Sequence, residues 1–506
     1  MRTLNTLKNM ASGFGVMIVS IILGFITRKV FVDSIGVEYL GLNGLLQNIL
    51  GVMTLIESGF ATSVIFNLYK PIANNDQPRI IALLQLYRKV YRYMALGVFL
   101  CALAIYPFLN HLIKDAQNLE YISVVYFIFL FNSLIQYFTA YKLAIINANQ
   151  KNYKLTAINI IYQIGLSLSK ISILYYTQSY ILYLIIEACF GLGYNLAIVK
   201  KANKLFPYIV TKIKYEVEPD VKQNIKTNMK ALFFHALGGY FMHSTDNIII
   251  SSFVGIAVVG LYSNYTLLTG LVKSFITQIM NSFSESVGNL IASESNTKIY
   301  SVFQTVFFIN FIIVSIPIII LYNTLTPFIE WWLGAEYQLG HYILCIILFN
   351  FYVDNMRNSA LTFKTKSGIF VQDRFTPLLQ GIINLILSLI FVHYWGLFGV
   401  LLATGISILS IGFWQFPRLI YKHTFKQPLK RYFYKYTLYT LIAFVTLISS
   451  SMICQITPIA NPLLKAMGNA TISILCIIII YFCAFKHSPQ YKSLLTYISN
   501  IYHSNK

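Results

Sequence analysis

Residues 200–230 read KKANKLFPYIVTKIKYEVEPDVKQNIKTNMK, eight lysines set against Glu216, Glu218 and Asp220. Working outward, six long apolar segments precede this stretch and eight follow it. Crossing a bilayer takes about 20 consecutive apolar residues as a helix. By that measure spans are expected near residues 11–32, 40–68, 90–112, 120–141, 154–177, 179–199, 231–253, 257–284, 300–322, 342–363, 375–394, 396–417, 434–454 and 466–485. Peptide groups in lipid need partners within their own segment, so each span is expected to be a helix. The sustained runs of Ile, Leu and Phe exclude a transmembrane barrel, whose strands are shorter and alternate. The expected fold is all-α, a polytopic membrane protein of about fourteen helices: two six-helix lobes plus two C-terminal helices.

Composition agrees. Hydrophobic residues make up 57% of the chain and charged residues 11%, whereas soluble domains average about 25% charged. The net charge of +21 is spread over alternate loops and does not gather on one face or arm. Of 38 Lys and Arg, 32 fall in the two tails and the even-numbered loops. Basic loops stay in the cytoplasm, so this bias places both termini there and makes nucleic acid an unneeded partner. The first apolar stretch is too long for a signal-peptide core and lacks a small-residue cleavage site, so it is expected to remain as the first span. The expected outer loops are short, with tight turns at 177–180, 255–257 and 393–396. The longest, 323–341, holds Trp331 and Trp332, which suit an interfacial aromatic belt.

A faint internal repeat supports two lobes. Shifted by 219 residues, Gly36-Val-Glu-Tyr-Leu-Gly41-Leu42 falls on Gly255-Ile-Ala-Val-Val-Gly260-Leu261, and Gly51 on Gly270. Chance similarity between two apolar hairpins is the competing reading. Six helices between the copies would give both lobes one orientation, with substrate passing between them. The expected division is an N-terminal lobe 1–199, a cytoplasmic linker 200–230, a C-terminal lobe 231–420 and an appendix 421–506.

Charge within hydrocarbon costs about 2.5–3.5 kcal/mol on insertion scales, which singles out a short list. Arg28, Lys170 and Lys273 are candidate cations for an anionic substrate. Arg offers phosphate a planar fork and Lys a point charge. Snorkelling to the interface is the bland alternative, strongest for Arg28 and its neighbour Lys29. Asp246 shares a stripe of the seventh span with His235 and Gly239, with His243 beside it. It reads either as a proton or cation site or as an acid bonded to a neighbouring helix. Glu57 likewise reads as a coupling-ion ligand or an interhelical contact. Glu187 stands isolated and reads as structural. Asp354 and Arg357, three apart, are expected to neutralise each other on one helix face. A few of the 75 tyrosines and phenylalanines could stack on sugars.

Enzyme signatures are absent: no GxSxG, P-loop, HExxH or Cys/His cluster occurs. The six cysteines form no CxxC and carry no disulfide or metal signal. No metal or cofactor is expected.

Three stretches carry a family resemblance. One runs from Gly36-Val-Glu-Tyr-Leu-Gly41-Leu-Asn-Gly-Leu through Glu57-Ser-Gly to Leu68-Tyr-Lys-Pro-Ile-Ala. Another is Ala148-Asn-Gln-Lys-Asn-Tyr153. The third joins Thr245-Asp246-Asn-Ile-Ile-Ile-Ser251, Val259-Gly-Leu-Tyr-Ser-Asn-Tyr265 and Ser286-Val-Gly-Asn-Leu-Ile-Ala-Ser-Glu294. The chain resembles the Wzx-like O-antigen and capsule flippases, the polysaccharide-transport branch of the multidrug/oligosaccharidyl-lipid/polysaccharide exporter superfamily. The resemblance implies two six-helix lobes around a cavity, alternating access, and export of an undecaprenyl-diphosphate-linked oligosaccharide for lipopolysaccharide, capsule or exopolysaccharide. Arg28 matches a basic residue common in the family's first span. Implied partners are the lipid-linked substrate, membrane lipids, a proton or sodium ion, and glycan polymerase and chain-length proteins. The rivals are a multidrug or organic-cation antiporter of the same superfamily, a peptidoglycan-precursor flippase, and a membrane glycan polymerase or ligase.

Overall fold

The computed structural model describes residues 2–51, 54–114, 119–369, 372–373, 375–457 and 459–492, all helical or loop with no strand among them. Helices run α1 (Arg2–Ile35), α2 (Val37–Gly51), α3 (Thr54–Ala73), α4 (Gln77–Ile105), α5 (Leu109–Leu112), α6 (Ile122–Ile135), α7 (Ala140–Ala148), α8 (Thr156–Thr177), α9 (Tyr180–Leu205) and α10 (Pro219–His243). They continue as α11 (Thr245–Ile249), α12 (Ile256–Ser293), α13 (Asn296–Trp332), α14 (His341–Met356), α15 (Asn358–Lys366), α16 (Thr376–Ser407), α17 (Phe413–Ile420), α18 (Lys430–Ile456) and α19 (Pro462–Phe485). Each expected span coincides with one of these or with a broken run of them. Among the described residues, eight helices are long and apolar enough to cross a membrane, or nine if the pair bent by 47° at Thr139 counts as one span. The chain is an all-α multi-pass membrane protein.

Residues group into two compact units, Met1–Gly260 and Leu261–Lys506. In the first, α3 packs on α10, α1 on α8, and α8 on α9. The linker is fastened to this unit. The Gln85 amide donates to the Ile213 carbonyl at 2.7 Å and accepts from the Tyr215 N–H at 3.1 Å, while Arg79 meets Glu218 at 2.6 Å.

The seventh expected span is interrupted. It breaks at Ser244, resumes as α11, and ends in a π-helical turn, Ile250–Val254. Such a turn leaves carbonyls and a polar face to satisfy. The Lys114 ammonium donates to the Phe253 carbonyl at 3.0 Å and its N–H to the Ser251 carbonyl at 3.1 Å, while the Ser251 hydroxyl donates to Leu112 O at 2.8 Å. Lys114, which charge counting treats only as a stray basic residue, caps this helix end.

Gly36 (φ +89°) and Gly255 (φ +151°) precede α2 and α12 in conformations that favour glycine. One turn on, Gly41 and Gly260 let the two helices cross at backbone contact. A methyl on Gly41 would run into the Ile256 carbonyl oxygen, and one on Gly260 into that of Val37. Each methyl would also lie 3.1 Å from the other glycine's nitrogen. The contact is reciprocal between residues 219 apart, the register of the sequence repeat.

In the second unit, α13 packs against α14, α18 and α19. A polar knot ties them. The Asn323 amide donates to Ser450 (2.9 Å) and Ser473 (3.0 Å), and Asn469 donates to the Asn323 carbonyl (2.8 Å). Around it lie stacked rings, Phe311 on Tyr439 at 4.8 Å and Phe307 on Tyr432 at 4.9 Å. The expected turn near residue 396 is a kink inside α16 at Gly396 (φ 54°, ψ −130°).

Overpacking of this kind costs about 1–3 kcal/mol. Gly41→Ala and Gly260→Ala should therefore each lower the melting temperature of the detergent-solubilised protein. Gly97→Ala, where a methyl meets nothing within 4 Å, should leave it unchanged or raise it.

Candidate functional site

Each unit holds an acid paired with a cation between apolar helices. In the first unit Lys170, on α8, is 8% exposed. Its ammonium lies 2.9 Å from Glu187 Oε2 on α9 and 4.2 Å from the centre of the Tyr183 ring. Positions 170 and 187 face each other because α8 and α9 form a hairpin turning at Gln178, which takes the left-handed conformation (φ 49°). Glu187, isolated in sequence, is thus the counter-ion of a candidate substrate cation. Its side chain is 38% exposed. Half-buried Arg28 lies on α1, which packs against α8. Next to it Lys29 bonds Asp33 at 3.0 Å, one turn along.

In the second unit Asp354, on α14, does pair with Arg357, at 2.5 Å, but the pair is not closed. Its other oxygen receives Lys273 of α12 at 2.7 Å. Arg357 also reaches Gln380 Oε1 at 3.4 Å. Gly412, in a π-helical turn, makes the room: a methyl there would lie 2.8 Å from both Arg357 Nη1 and Gln380 Oε1. Asp354 and Arg357 are nearly buried, whereas the Lys273 side chain is 46% exposed. One carboxylate therefore serves two cations, and the outer one can turn to another anion.

Asp246 is buried, 5% exposed, in the first turn of α11 just after the Ser244 break. Glu57 lies on α3, and His235 and His243 lie on α10. Their side chains fall outside the described residues, so the stripe expected with Asp246 is described only by its backbone. Among the described residues no three His, Cys, Asp or Glu gather as a metal site would require.

A cavity of about 440 Å³ lies within the first unit, between α3, α4 and the helices from α6 to α9. Asn132, Gln136, Asn147, Asn195, Tyr162 and Tyr194 are in its wall, and Glu187 stands at one side. Sequence reading missed it. Its amides are ordinary residues in apolar runs, and only the packing of several helices brings them together.

Splitting a half-buried ion pair costs more than replacing both members, because it strands the buried charge, here Lys170. Glu187→Gln should therefore destabilise the protein by more than about 1 kcal/mol. Lys170→Met/Glu187→Leu should recover most of that loss, as read by chemical unfolding in detergent.

No protein-family model matches this sequence, and no curated protein matches it. Solved structures do. Lipid II flippase MurJ, in an inward closed conformation, is similar with a TM-score of 0.68 over 94% of this chain and 99% of that one, at 15% identity. An inward-facing multidrug resistance MATE family transporter of the MOP superfamily gives 0.59 over 81% and 96%, at 13% identity. A variant of the Vibrio cholerae MATE transporter VcmN gives 0.56 over 84% and 99%, at 12% identity. At such identities the likeness is one of fold, and the chain has the fold of MOP-superfamily transporters.

Proposed function

We propose that this chain is a flippase that moves an oligosaccharide linked to a polyprenyl diphosphate, undecaprenyl diphosphate in the first instance, across the bacterial inner membrane by alternating access. The observation that carries the reading is the surplus of positive charge in apolar helices: Lys273 and Arg357 around the single Asp354. Two cations sharing one carboxylate among apolar helices leave a net positive charge there, and a diphosphate is a counter-charge that would offset it. An exporter of organic cations would want the opposite balance, acids in excess. The likeness in fold to a protein titled lipid II flippase is compatible with a lipid-linked substrate, and equally with a peptidoglycan precursor as cargo.

In this reading Arg28, Lys170 and Lys273 meet the diphosphate in turn as the protein changes conformation, and the lipid tail stays in the bilayer. Glu57, Asp246, His235 and His243 are the groups that would couple transport to a proton or sodium ion. The termini and the basic stretch 200–230 lie in the cytoplasm, where Lys and Arg concentrate. The two sequence halves, 1–199 and 231–420, act as lobes, with 421–506 added.

The test is translocation in proteoliposomes of a polyprenyl-diphosphate glycan, read by the access of an external glycosidase. A charge-assisted hydrogen bond is worth about 1.5–3 kcal/mol, so Lys273→Gln should slow translocation about tenfold or more. Inorganic pyrophosphate should compete in the wild type and not in the variant. If Arg28→Gln, Lys273→Gln and Lys170→Gln paired with Glu187→Gln all leave transport intact, the cationic path is wrong.

A further inference from the structure

The cavity in the first unit contains more hydrogen-bonding capacity than a helix bundle needs. Asn132 (α6), Gln136 (the turn after it), Asn147 (α7) and Asn195 (α9) contribute four amides to its lining. Asn195 is held in place, its Nδ2 donating to the Gly191 carbonyl at 2.9 Å and its Oδ1 accepting from Thr139. Asn132 Oδ1 is buried and has no hydrogen-bond partner among the described residues. A buried amide oxygen left in that state is costly, so a ligand group or water is needed there. Tyr162 and Tyr194 also line it, with ring centres 4.6 Å apart. The Tyr194 hydroxyl donates to Asn159 at 2.9 Å, which fixes the ring.

Charge narrows the ligand class. Among the described residues one acid is in the wall, Glu187, and it is matched by Lys170 at 2.9 Å, so the described wall offers no net charge to an organic cation. Among the described residues no basic side chain lines it, which argues against a phosphate site. An amide is donor and acceptor at once, as a sugar hydroxyl is, and a tyrosine face suits the C–H side of a pyranose. The volume, about 440 Å³, lies within the range of small-molecule sites.

We propose that this cavity is a binding site for an uncharged sugar, holding part of the glycan while the cations described above hold the diphosphate. The assignment rests on the flippase reading for its physiological ligand. It does not rest on it for the capacity to bind sugar.

The experiment uses the full chain in proteoliposomes and two lipids: a polyprenyl diphosphate bearing a neutral trisaccharide, and the same lipid without sugar. Loss of one net hydrogen bond weakens binding about fivefold. Asn147→Leu and Gln136→Leu should thus slow the glycan-bearing lipid about fivefold while the sugar-free lipid keeps its rate. Thr471→Val on α19 serves as a control for handling and should change neither. Equal slowing of both lipids, or slowing of neither, overturns the proposal. If the wild type moves neither lipid, the flippase reading fails on its own. The cavity is then decided by saturation-transfer NMR with free maltotriose and triacetylchitotriose. Saturable binding that both variants weaken supports the site; no saturable binding, or binding unaffected by the variants, means the cavity holds water alone and overturns it.

Discussion

Hydrocarbon gives a peptide group nothing to bond, and the architecture of this protein follows from that constraint. Where helices run unbroken, the constraint is met internally. Where they break, side chains complete the bonding: Lys114 and Ser251 secure the π-helical turn that ends the 250–254 segment. The second unit meets the same demand between helices, with Asn323, Asn469 and two serines in place of a purely apolar seam. Such contacts are each modest in lipid, but they specify which helices pair, which apolar packing alone does poorly.

The same scarcity of partners sorts the charges. Lys170 is buried and survives there because Glu187 and the Tyr183 ring enclose it. Asp354 is shared between two cations, so Lys273 is paired without being matched one to one.

Hydropathy made the helices legible, since length and apolarity are properties of a single segment. The glycine register 36–41 against 255–260 was legible too, and the structure gives it a physical meaning as a reciprocal crossing. Partnerships were not. Glu187 looked isolated because its cation lies on the preceding helix, and which faces meet depends on the rotation of both helices about their axes. Asp354 and Arg357 could be paired from their spacing, but Lys273, 81 residues upstream, could not be added. The break at Ser244 escaped a window that averages hydropathy over some 20 residues. The cavity escaped because Asn132, Gln136, Asn147 and Asn195 belong to no motif.

The crossing of α2 and α12 has a consequence for how the chain is made. Gly41 leaves the ribosome 219 residues before Gly260, an interval of roughly 11–44 s at about 5–20 residues per second. Throughout that time the glycine face of α2 sits in the membrane without the backbone it is shaped to meet. The first unit, which ends at Gly260, cannot close until its last residue has been inserted. Assembly of this half is therefore postponed to the end of its own synthesis, and whatever escorts the nascent helices must keep that bare glycine face from settling against a wrong neighbour.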